Sequence, residues 1–134
     1  MLDYVTIGAN DVERSVGFYD AVLLPLGYVK EAGDDHAEYS LASGGDVGNG
    51  PHTIYVKKPF DGRPATAGNG MMLAFAAQDD AKVRQLHAAG MAAGGADEGA
   101  PGTRSYYGPR FYVGYLRDPV GNKLALFAVL GEQS

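Results

Sequence analysis

The sequence predicts an α+β fold built from two copies of one βαβββ module. One observation is an internal repeat, in which the segment 4–11 aligns with the segment 72–79, 68 residues further along the chain. A second is that each copy follows its first apolar segment with an amphipathic helical pattern. A third is the set of short apolar segments, separated by turn residues, that comes after each helix. Because each half alone would be marginally stable, the copies are expected to share one core in a single domain, 1–134.

The first module begins with a segment, 2–9, whose apolar and β-branched residues are typical of a strand. Asn10 or Asp11 offers an N-cap oxygen to the helix that follows, and Pro25 and Gly27 end that helix. The apolar stripe of the helix consists of Val12, Val16, Tyr19 and Leu23. Further strands are predicted at 27–32, 37–42 and 52–58, with a glycine-rich loop at 43–51.

The second module repeats this order with one difference. A strand is predicted at 71–77, and Asp79 caps a helix that continues to about residue 93. The glycine-rich segment 94–109 is predicted to be a long loop, where the first module has its second strand. The last strands are predicted at 111–117 and 123–130, joined by a tight turn at 118–122. The modules therefore span about 1–60 and about 71–130, with a linker at about 59–70.

The composition excludes several classes of site and partner. The net charge of −5 argues against nucleic-acid binding, which needs a basic face. The chain has no cysteine, so disulfides, thiolate nucleophiles and cysteine-ligated metals are excluded. Its apolar segments are too short to cross a membrane, and its first residues lack the pattern of a signal peptide. We therefore expect a cytoplasmic protein with neither a nucleic-acid nor a membrane partner.

Three groups of short motifs follow one another along nearly the whole chain. They are Leu2–Val5 with Asp11–Ser15 and Phe18–Tyr19, then Gly68–Phe75, then Pro101–Arg104 with Tyr112 and Asp118–Asn122. In this order and spacing the chain resembles the vicinal oxygen chelate superfamily, and the last group resembles its glyoxalase/bleomycin-resistance branch. That superfamily also holds extradiol dioxygenases and fosfomycin-resistance enzymes.

The resemblance implies a half-closed, U-shaped sheet of eight strands, formed by the two paired modules. A small-molecule ligand would lie in its concave cleft, and the helices would cover the convex side. The resemblance further implies a homodimer, and one divalent metal held by His, Gln or Glu side chains on symmetry-related strands.

The positions that hold this metal in the superfamily do not carry such residues here. Carried over residue by residue they fall at Tyr4, Met72 and Ala125, and the repeat adds Tyr55 as a fourth corner. Methionine and alanine offer nothing to a hard divalent ion, and tyrosine must first lose a proton with a pKa of about 10. Because a stable site needs about three protein ligands, the sequence predicts no family-type metal and no other cofactor.

Strand alternation places these corners on the faces that would line the cleft. The opposite faces of the same strands are strongly apolar, as expected beneath helices. A surface that carries Tyr4, Tyr55 and Met72 suits a flat or partly aromatic organic ligand better than a metal-chelated one. The alternative is that these side chains are ordinary packing residues. We favour the interpretation that the three side chains line the cleft, because they occur together on a fold that forms one.

A second group of candidate ligand-binding residues lies near the last two strands: Arg104, Tyr106, Arg110 and Tyr112. An arginine can bind a ligand carboxylate through two parallel hydrogen bonds. The alternative is that Arg104 pairs with a carboxylate of its own segment, such as Asp97 or Glu98. The ligand is therefore predicted to be aromatic or to bear a carboxylate.

The three histidines lie on separate predicted elements and form no ligand cluster. His36 is expected to be solvated beside a turn, and His87 to be a partly buried structural residue of the second helix. Alternation favours the helix side for His52, although a bulge after Pro51 would turn it toward the cleft. Nothing resembles a nucleophile and base with useful spacing, so catalytic residues stay unassigned.

Three hypotheses about function follow. The first is a metal-free binder of a small organic molecule, similar to the drug-sequestering members of the superfamily. The second is an enzyme of the lyase, oxygenase or isomerase kind, with Tyr4 or Tyr55 as proton donor or with a metal on non-standard ligands. A neighbouring Lys57 or Lys123 would then help to lower the tyrosine pKa. In the third, the concave surface is a dimer interface and the protein is an interaction module.

Overall fold

The predicted α+β architecture of two βαβββ modules is confirmed by a computed structural model, which describes residues 2–41 and 52–131. The elements are β1 (Tyr4–Gly8), α1 (Val12–Leu23), a 3-10 turn (Leu24–Leu26), β2 (Tyr28–Ala32), β3 (His36–Leu41), β4 (Thr53–Lys57), β5 (Met72–Ala76), α2 (Asp80–Ala92), β6 (Ala96–Arg104), β7 (Gly108–Arg117) and β8 (Lys123–Val129). The glycine-rich loop predicted at 43–51 lies outside the described residues.

Each module forms its own four-stranded mixed sheet, in the orders β1-β4-β3-β2 and β5-β8-β7-β6. The first strand of each module pairs in parallel with the last, and the remaining neighbours are antiparallel. The register is the same in both copies, because Tyr4 pairs with Thr53 and Met72 pairs with Lys123. Neither sheet closes on itself, which agrees with the expected half-closed cleft.

Both helices begin where an aspartate follows the first strand. Asp11 accepts the backbone N–H of Arg14 at 3.1 Å, and Asp79 accepts that of Lys82 at 2.8 Å. These side-chain caps satisfy backbone donors that have no partner within the helix. The duplicated aspartate therefore sets the same helix start in both modules.

One cluster of buried hydrophobic residues draws on both modules. It packs the buried faces of both helices against the apolar faces of both sheets, and its largest members include Phe18, Tyr19, Leu86, Leu116 and Leu126. The helices approach closely at Gly90, where an added Cβ would lie 3.1 Å from Val22 Cγ2 and 2.6 Å from Leu116 Cδ1. The buried core therefore crosses the module boundary.

A buried carboxylate joins the first helix to the last hairpin. Oδ2 of Asp118 accepts the Tyr19 hydroxyl at 2.6 Å and Nδ2 of Asn122 at 2.9 Å. Oδ1 of Asp118 accepts the backbone N–H groups of Val120, Gly121 and Asn122. Burial raises the pKa of Tyr19, and the adjacent carboxylate of Asp118 raises it further. The tight turn predicted at 118–122 is thus also a contact between the modules.

The segment predicted as a loop at 94–109 is the main correction to the expected fold. Residues Ala96–Arg104 form β6, the missing second strand of module two. Its pairing with β7 shifts register three times, between Asp97 and Gly99, between Gly99 and Gly102, and between Thr103 and Arg104. Each shift breaks the alternation of side chains that identifies a strand in a sequence. The glycines that indicated a loop are the residues that permit these irregularities.

No helix within residues 2–41 and 52–131 combines the length and the apolar character that a membrane span requires.

Candidate functional site

A cavity of about 450 Å³ opens between the two modules, where β1 and β5 lie at the margins of their sheets. Residues from the first part of β1, the later part of β5 and the start of β4 form its walls. The apolar members are Leu2, Val5, Tyr28, Ile54, Leu73, Ala74 and Phe75. We call this space the apolar cavity. Pockets of roughly 300–1,000 Å³ with mostly apolar walls are typical of sites for small organic molecules.

Two aromatic pairs support the walls of the apolar cavity. The rings of Tyr4 and Tyr55 meet edge to face, with centroids 5.2 Å apart. The rings of Tyr28 and Phe75 join the two modules, with centroids 6.2 Å apart and a similar edge-to-face arrangement. Contacts of this kind fix ring orientation as well as burying area. The pairs therefore hold the walls in place without a bound ligand.

Few polar groups face the apolar cavity. Asp3, Tyr4, His52 and Thr53 are among its lining residues, and Thr53 is already hydrogen bonded to Ser40 at 2.9 Å between the two hydroxyl oxygens. Tyr4 keeps 52% of its surface exposed, so part of its ring is available for contact. The polar residue types of the lining are thus a carboxylic acid, a phenol, an imidazole and a hydroxyl.

His52 is among the lining residues of the apolar cavity, and its backbone is left-handed, with φ at 65°. Strand alternation favoured the helix side for this residue, and that stays a prediction, because the cavity takes residues from both faces of its strands. Alternation applies only to extended backbone, and His52 precedes the first residue of β4. Left-handed backbone is unfavourable for a residue with a side chain, and such strain is concentrated at functional sites.

The four corners where the fold family would hold a metal do not fit a divalent ion. Tyr4 and Tyr55 are in contact on the first sheet, whereas the second sheet supplies Met72 and Ala125. Ala125 is 2% exposed, so neighbouring side chains cover that corner. Among residues 2–41 and 52–131, no three His, Cys, Asp or Glu side chains are grouped to hold a metal ion. The donor set has neither the charge nor the number of ligands that such an ion needs.

The second group of predicted ligand residues lies on module two, around the β6–β7 hairpin. The guanidinium of Arg104 is 5.8 Å from the centre of the Tyr115 ring and donates a hydrogen bond to the Ala100 carbonyl at 2.8 Å. The rings of Tyr106 and Tyr107 are 4.5 Å apart between centroids. Burial raises the pKa of Tyr115, and a hydrogen bond with Tyr107 raises it further. This surface is aromatic and cationic, and it is separate from the lining of the apolar cavity.

The alternative ion pairs proposed for Arg104 are not formed. Glu98 pairs with Arg117 at 3.0 Å, which lowers the pKa of the Glu98 carboxyl, and Asp97 accepts from His87. Asp97 and Glu98 were candidate partners because they lie near Arg104 in the sequence. In the structure, β6 shifts register at these residues, and both acids contact other partners. Arg104 therefore points its charge toward Tyr115.

The two other predicted residues of this group occupy different surroundings. Arg110 is exposed, and its Nε donates to the Leu130 carbonyl at 3.0 Å. Tyr112 packs against the buried core on the helix-covered face, and its hydroxyl accepts from Arg84 at 3.3 Å. The structure therefore brings Tyr4 and Tyr55 together, and Arg104 and Tyr106 onto one hairpin, but it does not gather all seven residues in one place.

The remaining histidines agree with their expected roles in part. His87 is buried in α2, and its Nε2 lies 3.1 Å from Asp97 Oδ1 and 3.2 Å from the Tyr115 carbonyl, as a structural histidine would. His36 is half-buried and contacts Glu38 at 3.1 Å, so it is less solvated than its position beside a turn suggested.

Comparison with known proteins gives one family and one fold. The model of the Glyoxalase/Bleomycin resistance protein/Dioxygenase superfamily matches residues 1–126. The chain is 39% identical to a glyoxalase/bleomycin resistance protein from Albidiferax ferrireducens T118, whose crystal structure superposes with a TM-score of 0.80 over 96% of this chain and 98% of that chain. No curated protein matches the sequence.

More distant structures share the fold. A glyoxalase-related enzyme from Fulvimarina pelagi is 21% identical, with a TM-score of 0.72 over 96% of this chain and 87% of that chain. A lactoylglutathione lyase from Agrobacterium tumefaciens is 20% identical, with a TM-score of 0.59 over 96% of this chain and 92% of that chain.

Proposed function

Because the chain belongs to the Glyoxalase/Bleomycin resistance protein/Dioxygenase superfamily, we propose that it binds a small, largely apolar aromatic molecule in the apolar cavity, without a metal. The observation that carries this proposal is the cavity itself, about 450 Å³ between apolar walls that belong to both modules. Its size suits one or two fused rings, and burial of such rings would supply most of the binding free energy.

The polar lining narrows the chemistry of this ligand. Asp3, Tyr4 and His52 are lining residues whose side chains can accept or donate hydrogen bonds, and Asp3 adds a negative charge to this region. A ligand with a hydroxyl or N–H donor would satisfy these groups, whereas a ligand carboxylate would be repelled by Asp3. We therefore favour a phenol-like or amine-like aromatic molecule here over the carboxylate-bearing one that the sequence also suggested.

We further propose that the ligand binds without a metal ion. Two tyrosines, a methionine and a buried alanine at the family corners support it, because they offer no set of three ligands. A metal-dependent site would need other ligands brought together from elsewhere in the chain.

A matched pair of probes tests the proposal: 2-naphthol and 2-naphthoate, which share a ring system and differ in the polar group. Titration followed by amide NMR shifts should show 2-naphthol binding beside Val5, Leu73 and Phe75, and 2-naphthoate binding at least about tenfold more weakly. Tyr4→Ala should weaken 2-naphthol binding by about tenfold, because one aromatic contact and one hydrogen bond are lost.

Two variants and a chelator serve as controls for this titration. Ala74→Phe should block the cavity, and Tyr106→Ala should leave the affinity unchanged, since Tyr106 is 72% exposed on a different hairpin. Dialysis against a chelator should not alter binding. Equal affinity in wild type, Tyr4→Ala and Ala74→Phe would place the ligand elsewhere, and loss of binding after chelation would disprove the metal-free site.

A second candidate is an enzyme in which the Tyr4 hydroxyl donates a proton to the bound molecule. The observation that favours it is the strained His52 next to Tyr4 in the same cavity. Tyr4→Phe would distinguish the two functions, because it removes the proton donor and keeps the ring. Turnover that is lost while binding persists would establish the enzyme, and an unchanged ligand after long incubation would favour the binder.

We expect His52→Gly to stabilise the protein and to weaken ligand binding at the same time. Glycine tolerates left-handed backbone, so the free energy of unfolding should rise by about 1 kcal/mol. Loss of the imidazole should reduce the affinity for 2-naphthol. Urea unfolding and the NMR titration measure the two effects. His52→Asn is the matched control, since asparagine can stabilise left-handed backbone through a local side-chain hydrogen bond. A less stable His52→Gly variant would show that the conformation carries no strain.

A further inference from the structure

Aromatic side chains are concentrated on one face of the second sheet, the face opposite to the helices. In β7, Tyr112 packs against the buried core on the helix side, so Phe111 and Tyr115 lie on the other face of the strand. Phe127 of β8 shares that face, because it is paired with Val113 and paired residues lie on the same side of a sheet. Three rings from two neighbouring strands therefore face the same way.

These rings contact one another and a fourth ring from the β6–β7 hairpin. The planes of Phe111 and Phe127 are stacked at 24°, with centroids 5.3 Å apart. The Tyr107 ring meets that of Phe111 edge to face at 5.3 Å, and its hydroxyl interacts with that of Tyr115. Tyr107 is 53% exposed and the other rings are half-buried, so a ligand can reach them. We call this set the aromatic platform; its members are Tyr107, Phe111, Tyr115 and Phe127.

Two cations lie at the Tyr115 end of the aromatic platform. The guanidinium carbon of Arg104 is 5.8 Å from the centre of the Tyr115 ring, and Nζ of Lys123 is 4.8 Å from it. Arg104 belongs to β6 and Lys123 to β8, and β7 lies between these strands. The cations therefore reach the ring from both sides, and contact with an aromatic face orients each of them.

The chain leaves room for this arrangement at Gly99, which is paired with Tyr115. A Cβ added at Gly99 would lie 2.8 Å from Cδ2 of Tyr115 and 3.3 Å from Nη2 of Arg104. A larger residue would therefore displace the ring or the guanidinium. The guanidinium is also held by hydrogen bonds to the carbonyl groups of Ala100 at 2.8 Å and Thr103 at 3.3 Å.

Neither cation is neutralised by a close acid. Within residues 2–41 and 52–131, no carboxylate oxygen lies within 4.0 Å of a side-chain nitrogen of Arg104 or Lys123. Glu98, an acid that Lys123 influences, is bonded to Arg117 at 3.0 Å. Arg104 uses two of its five N–H donors on backbone carbonyls, so three are left for another acceptor. The two side chains can therefore bind an anion without first breaking an ion pair.

The combination of stacked rings and two cations indicates one class of ligand. Flat rings pack on an aromatic surface, and a carboxylate accepts hydrogen bonds from both guanidinium and ammonium groups. Because Tyr115 is paired with Ala125, Phe127 is its diagonal neighbour, about 7–8 Å away, which is comparable with the length of a fused two-ring acid. We propose that the aromatic platform binds a flat aromatic monocarboxylate, with its rings on the platform and its carboxylate between Arg104 and Lys123.

No residue of the aromatic platform, and neither cation, is among the lining residues of the apolar cavity. The proposal is therefore independent of the proposed function and can fail without it. The test is an amide NMR titration of the whole protein with 2-naphthoate, which should shift Tyr107, Tyr115 and Lys123 saturably with a Kd below about 1 mM. Two analogues, 2-naphthamide without the charge and decahydro-2-naphthoate without the aromatic rings, should each bind there at least about tenfold more weakly.

Variants of the two cations identify the groups that bind the carboxylate. Arg104→Gln and Lys123→Gln should each weaken 2-naphthoate binding at least about tenfold, because a hydrogen bond to a charged group is lost. Arg84→Gln is the matched control and should leave the affinity unchanged. The guanidinium of Arg84 also lies 5.8 Å from a tyrosine ring of β7, that of Tyr112, but on the helix side of the strand. A dispersed amide spectrum establishes that each variant is folded.

Several results would overturn the proposal. Equal 2-naphthoate affinity in wild type and in both cation variants would exclude the carboxylate site, and equal binding of either analogue would exclude the proposed recognition of charge or of aromatic rings. Shifts confined to Val5, Leu73 and Phe75 would place the acid in the apolar cavity. Amide shifts of Tyr107 and Phe127 that change with protein concentration in the absence of ligand would show that a second copy of the chain occupies the platform.

Discussion

Replacing Asp118 with alanine is expected to destabilise the protein by about 3–5 kcal/mol. The substitution removes an acceptor of five hydrogen bonds and leaves the buried hydroxyl of Tyr19 and three backbone N–H groups without it. Each buried donor that loses its partner costs desolvation energy as well as the bond. Because Tyr19 belongs to α1 and Asp118 follows β7, the loss should loosen both the turn and the contact between modules.

Urea unfolding measures this effect, and hydrogen exchange of the 118–122 amides locates it. Tyr19→Phe is the matched control, since it removes one of the five donors and leaves the turn bonds in place. Its cost should be about 1–2 kcal/mol. A loss of less than 1 kcal/mol in Asp118→Ala, or equal losses in the two variants, would show that water replaces the carboxylate and that the turn does not depend on it.

Gly95→Ala is expected to cost about 2–3 kcal/mol for a steric reason. An added Cβ would lie 2.4 Å from Phe18 Cε1, 2.8 Å from the Gly90 carbonyl oxygen and 3.0 Å from the Arg117 carbonyl oxygen. Two of these neighbours are backbone atoms that cannot rotate away. The clash is therefore relieved only by shifting α2 relative to β7, which disturbs the shared core.

Two other glycines separate this steric effect from conformational effects. Gly27 aligns with Gly95 in the repeat, but it has a φ of 100° and open space around its Cβ position, so Gly27→Ala should cost about 1–2 kcal/mol through backbone strain alone. Gly17 lies in α1 with nothing near it, and Gly17→Ala should stabilise the helix by about 0.5–1 kcal/mol. Thermal and urea unfolding of all three variants should rank them in this order. A tolerated Gly95→Ala would mean that the helix end moves freely.

The sequence predicts those features of the fold that depend on neighbouring residues, such as helix caps and the alternation of side chains along a strand. Asp11 and Asp79 start helices because their side chains bond a backbone N–H three residues later, which is a short-range effect readable from sequence. Phe75, Leu124 and Leu126 are buried because strand alternation puts them under the helices. The equivalence of Tyr4 with Met72 follows from the repeat and is retained in the pairing register.

The sequence predictions that the structure contradicts concern segments with an irregular backbone. The bulges of β6 shift the register of Glu98 and Asp97, so neither acid pairs with Arg104 as their proximity in sequence suggested. His52 has a left-handed φ, and a single histidine in a sequence does not indicate such a backbone. A histidine placed directly before a strand that pairs in parallel with β1 is the feature that could have drawn attention to it.

The lining of the apolar cavity also could not be predicted from the sequence. This cavity forms between the margins of the two sheets, so its walls mix residues from both faces of β1 and β5. Alternation assigns Tyr4 and Val5 to opposite faces, yet both line the apolar cavity. A cavity at the margin of a sheet depends on the packing of the two modules, and no local pattern records that packing.

The irregular backbone of β6 also affects whether the sheets of two copies of this protein can pair edge to edge. It is an outer strand of its sheet, and a straight outer strand presents unpaired backbone groups on which another chain can add. The three register shifts bend this strand, Pro101 lacks an N–H, and Asp97 and Glu98 add negative charge. Sheet extension from one molecule to the next is thereby obstructed, so this margin should resist the growth of fibrils even when the protein is concentrated.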